Sequence, residues 1–119
     1  MAYEVEVTDE WLEWFNDLTP REQEEIAAVI GLLEEKGPQL PFPYSSGVKG
    51  SRHSHMRELR TQIQGRPFRT LYAFDPRRMA ILLLGGDKTG DDRWYKVFVP
   101  RADDLYDVHV TTLREEGLI

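Results

Sequence analysis

Between Glu58 and Thr89 the chain sets out three cationic side chains at spacings suited to work on a phosphodiester. They are Arg60 in Glu58-Leu59-Arg60, Arg69 in Arg69-Thr70-Leu71-Tyr72-Ala73-Phe74-Asp75, and Lys88 in Gly85-Gly86-Asp87-Lys88-Thr89. Residues 56–63 and 66–75 each alternate apolar and polar side chains, the period of a strand, and Gln64-Gly65 between them reads as a two-residue hairpin loop. That register puts Arg60 directly opposite Arg69 on one face. Like charges at opposed positions are destabilising, and a phosphate held by two guanidinium forks offsets the repulsion. Glu58, on the same face two residues away, is the alternative partner, in which case the arginines form an ordinary surface ion pair of small worth. Pro67 has no N–H to give to the ladder and leaves a register slip open.

Further candidates flank this core. Lys49, Arg52, His53, His55 and Arg57 crowd the approach to the first of these strands. Positive charge beside an imidazole favours its neutral form, which can act as a base. His53 and His55 offer two metal ligands where a zinc site needs three or four, so no metal is expected. Trp94 and Tyr95 follow the lysine loop, and either could stack on a nucleic-acid base or anchor the last element in the core. His109 lies on a helical stripe, a place where a histidine is more often packed than catalytic.

The chain has 119 residues, no cysteine and a formal net charge of −6. The length suits one domain spanning residues 1–119 with a proper core. The lack of cysteine excludes disulfides and thiolate catalysis and fits a reducing cytoplasm. No apolar run approaches a membrane span, and the first residues are acidic where a secretory signal is basic. Net negative charge opposes nucleic-acid binding, but its distribution is uneven. Residues 1–46 carry 2 basic and 11 acidic groups, residues 47–101 carry 12 and 5, and residues 102–119 carry 1 and 5. The basic block coincides with the candidate residues, as a local anion-binding face would.

These side chains need elements to hold them. Residues 3–8 alternate as a half-buried strand, and Asp9 is expected to cap a short helix with Trp11, Phe15 and Leu18 on one face. Thr19-Pro20-Arg21-Glu22 is a capping box, opening a helix with Ile26, Ile30 and Leu33 in line until Gly37-Pro38. Residues 39–54, rich in Pro, Ser and Gly, read as a loop. The apolar run 79–84 is typical of a central strand, and a loop is expected from Gly85 to Asp92. Trp94 to Val99 fits strand or helix, with Pro100 permitting either. Residues 101–115 read as a helix with Ala102, Leu105, Val108 or His109, and Leu113 on one stripe. The expected fold is α+β: an antiparallel, meandering sheet with an N-terminal helix hairpin and a C-terminal helix.

The order and spacing of ELR, R-x-L-Y-x-F-D, GGDK, Trp94-Tyr95 and Pro100-Arg101-Ala102-Asp103 resemble the RelE/HigB-like toxins of type II toxin–antitoxin systems, over about Tyr3 to Leu113. The resemblance implies a RelE-like fold and a metal-independent, cofactor-free endoribonuclease that cuts mRNA, often on the ribosome. It also implies a cytoplasmic setting and a cognate antitoxin, commonly a helix-turn-helix protein, through which alone operator DNA is contacted. On the matching positions it suggests Arg60 and Arg69 as phosphate ligands, Lys88 and Lys49 as added positive charge, and Tyr95 as a stacking or proton-exchanging aromatic. His109, with Tyr106 and Asp107, sits near where some relatives carry catalytic groups, although here several residues follow it. The acidic balance departs from the usual basic toxin. It keeps a second class open: a ParE-like toxin acting on DNA gyrase, or a phage-type binding module. Exposed, convergent Arg60, Arg69 and Lys88 favour cleavage; the same residues paired with Glu58, Asp87 or Asp91 favour binding.

Overall fold

The hairpin at Gln64-Gly65 organises the sheet. In the computed structural model, which describes residues 2–119, β3 (Arg57–Ile63) and β4 (Arg66–Phe74) pair antiparallel with Arg60 opposite Arg69. Gln64 and Gly65 have φ of 50° and 77°, the left-handed pair of a tight hairpin turn whose twist matches its strands. β5 (Ala80–Asp87) continues the meander against β4.

Two short strands complete the sheet and correct the expectation of a purely antiparallel one. β1 (Val5–Val7) lies parallel to β5, and β2 (Ser45–Gly47) lies antiparallel to β3, giving the order β1-β5-β4-β3-β2. Parallel neighbours need a long connection, and everything from residue 8 to residue 79 separates these two. β2 falls inside the stretch expected to be loop. Its residues, Ser-Ser-Gly, carry no apolar alternation; the segment is a strand through backbone pairing and through its serines, Ser45 sharing a 2.7 Å hydrogen bond with the Tyr72 hydroxyl.

Helices cover both faces. Thr8, one residue earlier than expected, caps α1 (Asp9–Asn16): its hydroxyl accepts from the Trp11 N–H at 3.0 Å and donates to the Leu83 carbonyl at 2.7 Å. Asp9 falls in the first turn, where negative charge suits the helix dipole. The capping box of Thr19 and Glu22 opens α2 (Pro20–Lys36). α3 (Trp94–Glu115) settles the ambiguity over 94–99 in favour of helix. Pro100 lies within it and removes one N–H, whose acceptor would be the carbonyl of solvent-exposed Lys96. Of the stripe expected along α3, His109 and not Val108 faces inward, Val108 being 63% exposed.

Strand alternation then divides the core in two. Leu59, Ile63, Phe68, Tyr72 and Leu82 pack beneath α1 and α2 with Trp11, Ile26 and Leu33. Leu71, Ala73, Ile81 and Leu83 pack beneath α3 with Trp94, Val99, Ala102 and Tyr106. Glu58, Arg60 and Arg69 share the parity of Leu71 and so lie on the α3 face.

Gly85 and Gly86, expected to begin the loop, are the last interior residues of β5. A Cβ on Gly85 would lie 2.2 Å from the Trp14 ring, and one on Gly86 would lie 2.6 Å from the Trp94 indole nitrogen. Two indoles, one from each helical layer, therefore press on the same point of the sheet. The close approach of Trp94 brings the first turn of α3, and Tyr95 with it, down onto β3 and β4.

A polar junction ties the other end of α3. Asp75 accepts from the Arg77 N–H at 2.8 Å, from the Arg77 guanidinium at 2.8 Å and from His109 Nε2 at 2.9 Å; Arg77 also reaches Glu6 of β1. Burial opposes ionisation of Asp75, but these hydrogen bonds outweigh it and hold the carboxyl below its ordinary value.

Gly86→Ala should lower stability by about 1–3 kcal/mol through overpacking against Trp94, read as a lower urea midpoint at unchanged slope. Asp75 should contribute stability in full above the unfolded aspartate value of about 3.9, lost as pH falls through its lower folded value. Urea midpoints should therefore fall more steeply in acid for the wild type than for Asp75→Asn.

Candidate active site

One carboxylate gathers the candidate residues. Glu58 is 4% exposed, and Tyr95 and Ser46 each donate a hydroxyl hydrogen bond to it at 2.6 Å. Arg60 Nη1 lies 3.3 Å from the same carboxylate and Arg69 Nε 3.5 Å. The facing arginines are thus held by the glutamate that their own strand register places beside them. Ser46 reaches it because β2 pairs Ser46 with Glu58.

The two arginines differ in access. Arg69 is 5% exposed; its Nη1 donates to the Phe68 carbonyl at 3.0 Å, and its Nε is a buried donor without a hydrogen-bond partner. Such a donor costs roughly 1–3 kcal/mol unless an acceptor arrives. The Arg60 side chain is partly exposed and lies 5.0 Å from the centroid of the Phe42 ring. Both arginines line a groove of about 430 Å³ beside β3, with Tyr44, Gln62, Val29 and Leu32 among its walls.

Tyr95 joins from the first turn of α3 and Lys88 from the turn between β5 and α3. The Lys88 N–H donates to the Pro67 carbonyl at 3.0 Å, which pins this turn to β4, and Lys88 Nζ stands 5.6 Å from the centre of the Tyr95 ring. Burial and the hydrogen bond to Glu58 push the Tyr95 phenol above its ordinary range, so it holds its proton and donates. Arg60, Arg69 and Lys88 against Glu58 leave the cluster with excess positive charge, as anion binding requires.

The remaining candidates lie elsewhere. Trp94 is 2% exposed and serves the core, so stacking on a base is closed to it. Arg57 alternates to the opposite face from Arg60 and donates to Ser45 at 2.9 Å. Lys49 is exposed beyond the end of β2. Arg52, His53 and His55 fold onto the middle of α3: Arg52 donates to Asp104 at 3.1 Å and to Asp107, His53 bonds Asp107 at 2.7 Å, and His55 bonds the Tyr106 hydroxyl at 3.1 Å. Asp103, 1% exposed, receives the Arg52 N–H at 2.9 Å and the Ser51 hydroxyl. These groups are the clasp that fastens the loop to α3. His55 is held toward the neutral form, by burial first and by His53 second, whereas flanking arginines were the expected cause.

Glu6, Asp75 and His109 bring ligand atoms within 4.8 Å of one another, but the Arg77 guanidinium already supplies the cation there. Sequence reasoning cast Glu58 only as a charge partner. Its central position follows from two contacts across the fold, with Ser46 and Tyr95, that no local pattern announces.

The family model of the phage derived protein Gp49-like group (DUF891) matches residues 13–107. A Mycobacterium tuberculosis protein named "Putative toxin HigB2" is 41% identical over 104 residues, 86% of this chain and 52% of that protein. A second from the same organism, "Putative toxin HigB3", is 45% identical over 91 residues, 76% of this chain and 78% of that protein. The chain therefore spans about half the length of the first relative and most of the second. Among solved structures, a mutant of the Escherichia coli toxin RelE in the free state superposes with a TM-score of 0.57 at 11% identity, covering 82% of this chain and 96% of that one. The RelBE2 toxin–antitoxin complex of M. tuberculosis gives a TM-score of 0.54 at 17% identity, with 73% and 99% covered. The family match across most of the chain, the HigB identities and the shared architecture lead to one conclusion: the chain belongs to the Gp49-like, HigB-related family and has the RelE-type α+β fold.

Proposed function

We propose that this chain is the toxin of a type II toxin–antitoxin system, a metal-independent endoribonuclease that cuts mRNA in the cytoplasm and is neutralised by a cognate antitoxin. The observation that carries the reading is the convergence of Arg60, Arg69, Lys88 and Tyr95 on one side of the sheet around Glu58. The toxin names of the HigB relatives and the antitoxin bound in the RelBE2 structure support it.

The chemistry asks little beyond charge and proton control. A ribose 2′-oxygen attacks the adjacent phosphorus and the bond to the 5′-oxygen breaks, leaving a 2′,3′-cyclic phosphate and a 5′-hydroxyl. Negative charge builds on the phosphoryl oxygens, where Arg60, Arg69 and Lys88 supply compensating donors. Arg69 Nε is buried 3.5 Å from Glu58, so Arg69 contributes its charge to the cluster rather than this N–H to the phosphate. Glu58 takes the 2′-hydroxyl proton, and Tyr95, which keeps its phenolic proton, gives it to the departing oxygen. Their 2.6 Å hydrogen bond then returns a proton from Glu58 to Tyr95 and restores both groups.

A second reading is favoured by a specific observation, the pairing of both arginines with Glu58. In a ParE-like toxin directed at DNA gyrase, or in a phage-type binding module, this cluster would serve as a structural tie and a contact surface.

Induced expression in bacteria with mapping of new mRNA 5′ ends separates the two. Wild-type chain should arrest growth and leave discrete cuts, and Arg60→Ala, at a partly exposed position, should fold while cleavage falls about 10²–10³-fold, the usual loss for one oxyanion donor. Arrest without cuts supports the binding toxin, and no arrest from folded protein rejects the toxin reading. Glu58→Gln should cost about 3–5 kcal/mol because it leaves two arginines opposed without their carboxylate. Tyr95→Phe should abolish cleavage at a far smaller cost in melting temperature.

A further inference from the structure

Phe42 is an unusual residue to leave in water. It is 68% exposed and flanked by Pro41 and Pro43, which fix the backbone on either side of it. Its ring meets the Arg60 guanidinium at 5.0 Å. Two residues on, Tyr44 is 42% exposed, lines the groove shared by Arg60 and Arg69, and accepts the Arg60 backbone N–H at 2.9 Å. This segment is therefore tied to Arg60 at both backbone and side chain.

We infer that Phe42 and Tyr44 form a stacking platform for bases of single-stranded RNA, seating the nucleotides that adjoin the phosphate held by Arg60 and Arg69. The inference rests on the endoribonuclease reading and names the part of the site that grips bases. Exposed aromatic rings beside a cationic phosphate site are the combination single-stranded nucleic acids require, the rings taking base faces and the guanidinium groups the backbone. The prolines reduce the ordering needed on binding. Glu25 of α2 lines the same groove, where its charge disfavours phosphate, while Ala28, Val29 and Leu32 give it an apolar wall for bases. Because every base has a stacking face, the platform favours unpaired RNA over any one sequence.

The test uses a fluorescent single-stranded RNA carrying 2′-O-methyl groups, which binds without being cut, and the full chain. Affinity is measured across a salt series for the wild type, Phe42→Ala, Phe42→Leu, Phe42→Trp, Tyr44→Ala and Arg60→Ala. Phe42→Ala and Tyr44→Ala should each weaken binding about tenfold or more. Phe42→Trp should restore it and Phe42→Leu, apolar without a π-face, should not. The salt slope should stay unchanged in the aromatic variants and fall in Arg60→Ala. RNA binding that is equal in wild type and Phe42→Ala overturns the platform, as does an effect of the aromatic variants confined to capture of the antitoxin, which would make the surface a protein interface. Wild-type chain that neither binds nor cuts RNA overturns both the platform and the endoribonuclease reading. Aromatic-dependent binding without cleavage, on or off the ribosome, overturns only the endoribonuclease.

Discussion

A buried carboxylate standing between two opposed arginines is the constraint on which the site depends. The hairpin fixes Arg60 across from Arg69, and a one-residue slip between β3 and β4 would turn a strand's side chains to the other face. Glu58 is the compensating charge, and it fixes the positions of Tyr95 and Ser46 by accepting from both. Stability alone does not call for this arrangement. Buried ion clusters can often be replaced by apolar side chains of similar volume with no loss, and Leu71 and Ala73 beside them on β4 show that this face accommodates apolar packing. On the proposed reading, charges are kept in so enclosed a place for the anion they would bind.

The opposed arginines were legible in the sequence because three local signals agree: alternation along 56–63, alternation along 66–75, and a two-residue turn with glycine second. The capping box at Thr19 was equally plain. What escaped was set by distant contacts. β2 has no alternation of its own and takes its conformation from its neighbour β3. Gly85-Gly86 looks like loop until the two tryptophans that need the space are in place. The cluster of Arg52, His53 and His55 resembled an RNA-binding loop because basic residues sit together there in sequence. Its partners are Asp104 and Asp107 for Arg52 and His53 and the Tyr106 hydroxyl for His55, more than fifty positions later on α3. Trp94 and Tyr95 show how far one residue's rotation matters, the first turned into the core and the second onto Glu58.

The sheet also separates the charges. α1 and α2, which carry most of the acidic groups of the first 46 residues, cover one face, and the arginine cluster lies on the other. A net charge of −6 therefore coexists with a cationic region. The separation is incomplete at the edge of the sheet, where Glu25, Ala28, Val29 and Leu32 of α2 share a groove with Arg60 and Arg69, so the acidic hairpin borders the cationic region on one side.

The same logic runs along α3. A helix is stabilised by acidic residues near its N-terminus and basic ones near its C-terminus. α3 has no acidic residue in its first turn, and Arg93, Lys96 and Arg101 stand at or near that end, while Asp103, Asp104, Asp107 and Glu115 follow; only Arg114 obeys the rule. The distribution opposes the helix dipole, so it does not serve the stability of α3. The first half of the helix instead makes local contacts, Arg101 lying 5.1 Å from the Phe98 ring beside Glu10 and Glu13 of α1 and Asp17 just after it, while Tyr95 of the first turn reaches Glu58. The later acids are spent on the clasp, with Asp103 and Asp107 receiving Ser51, Arg52 and His53. One helix thus completes the arginine cluster through Tyr95 in its first turn and secures the loop before β3 with its later acidic residues.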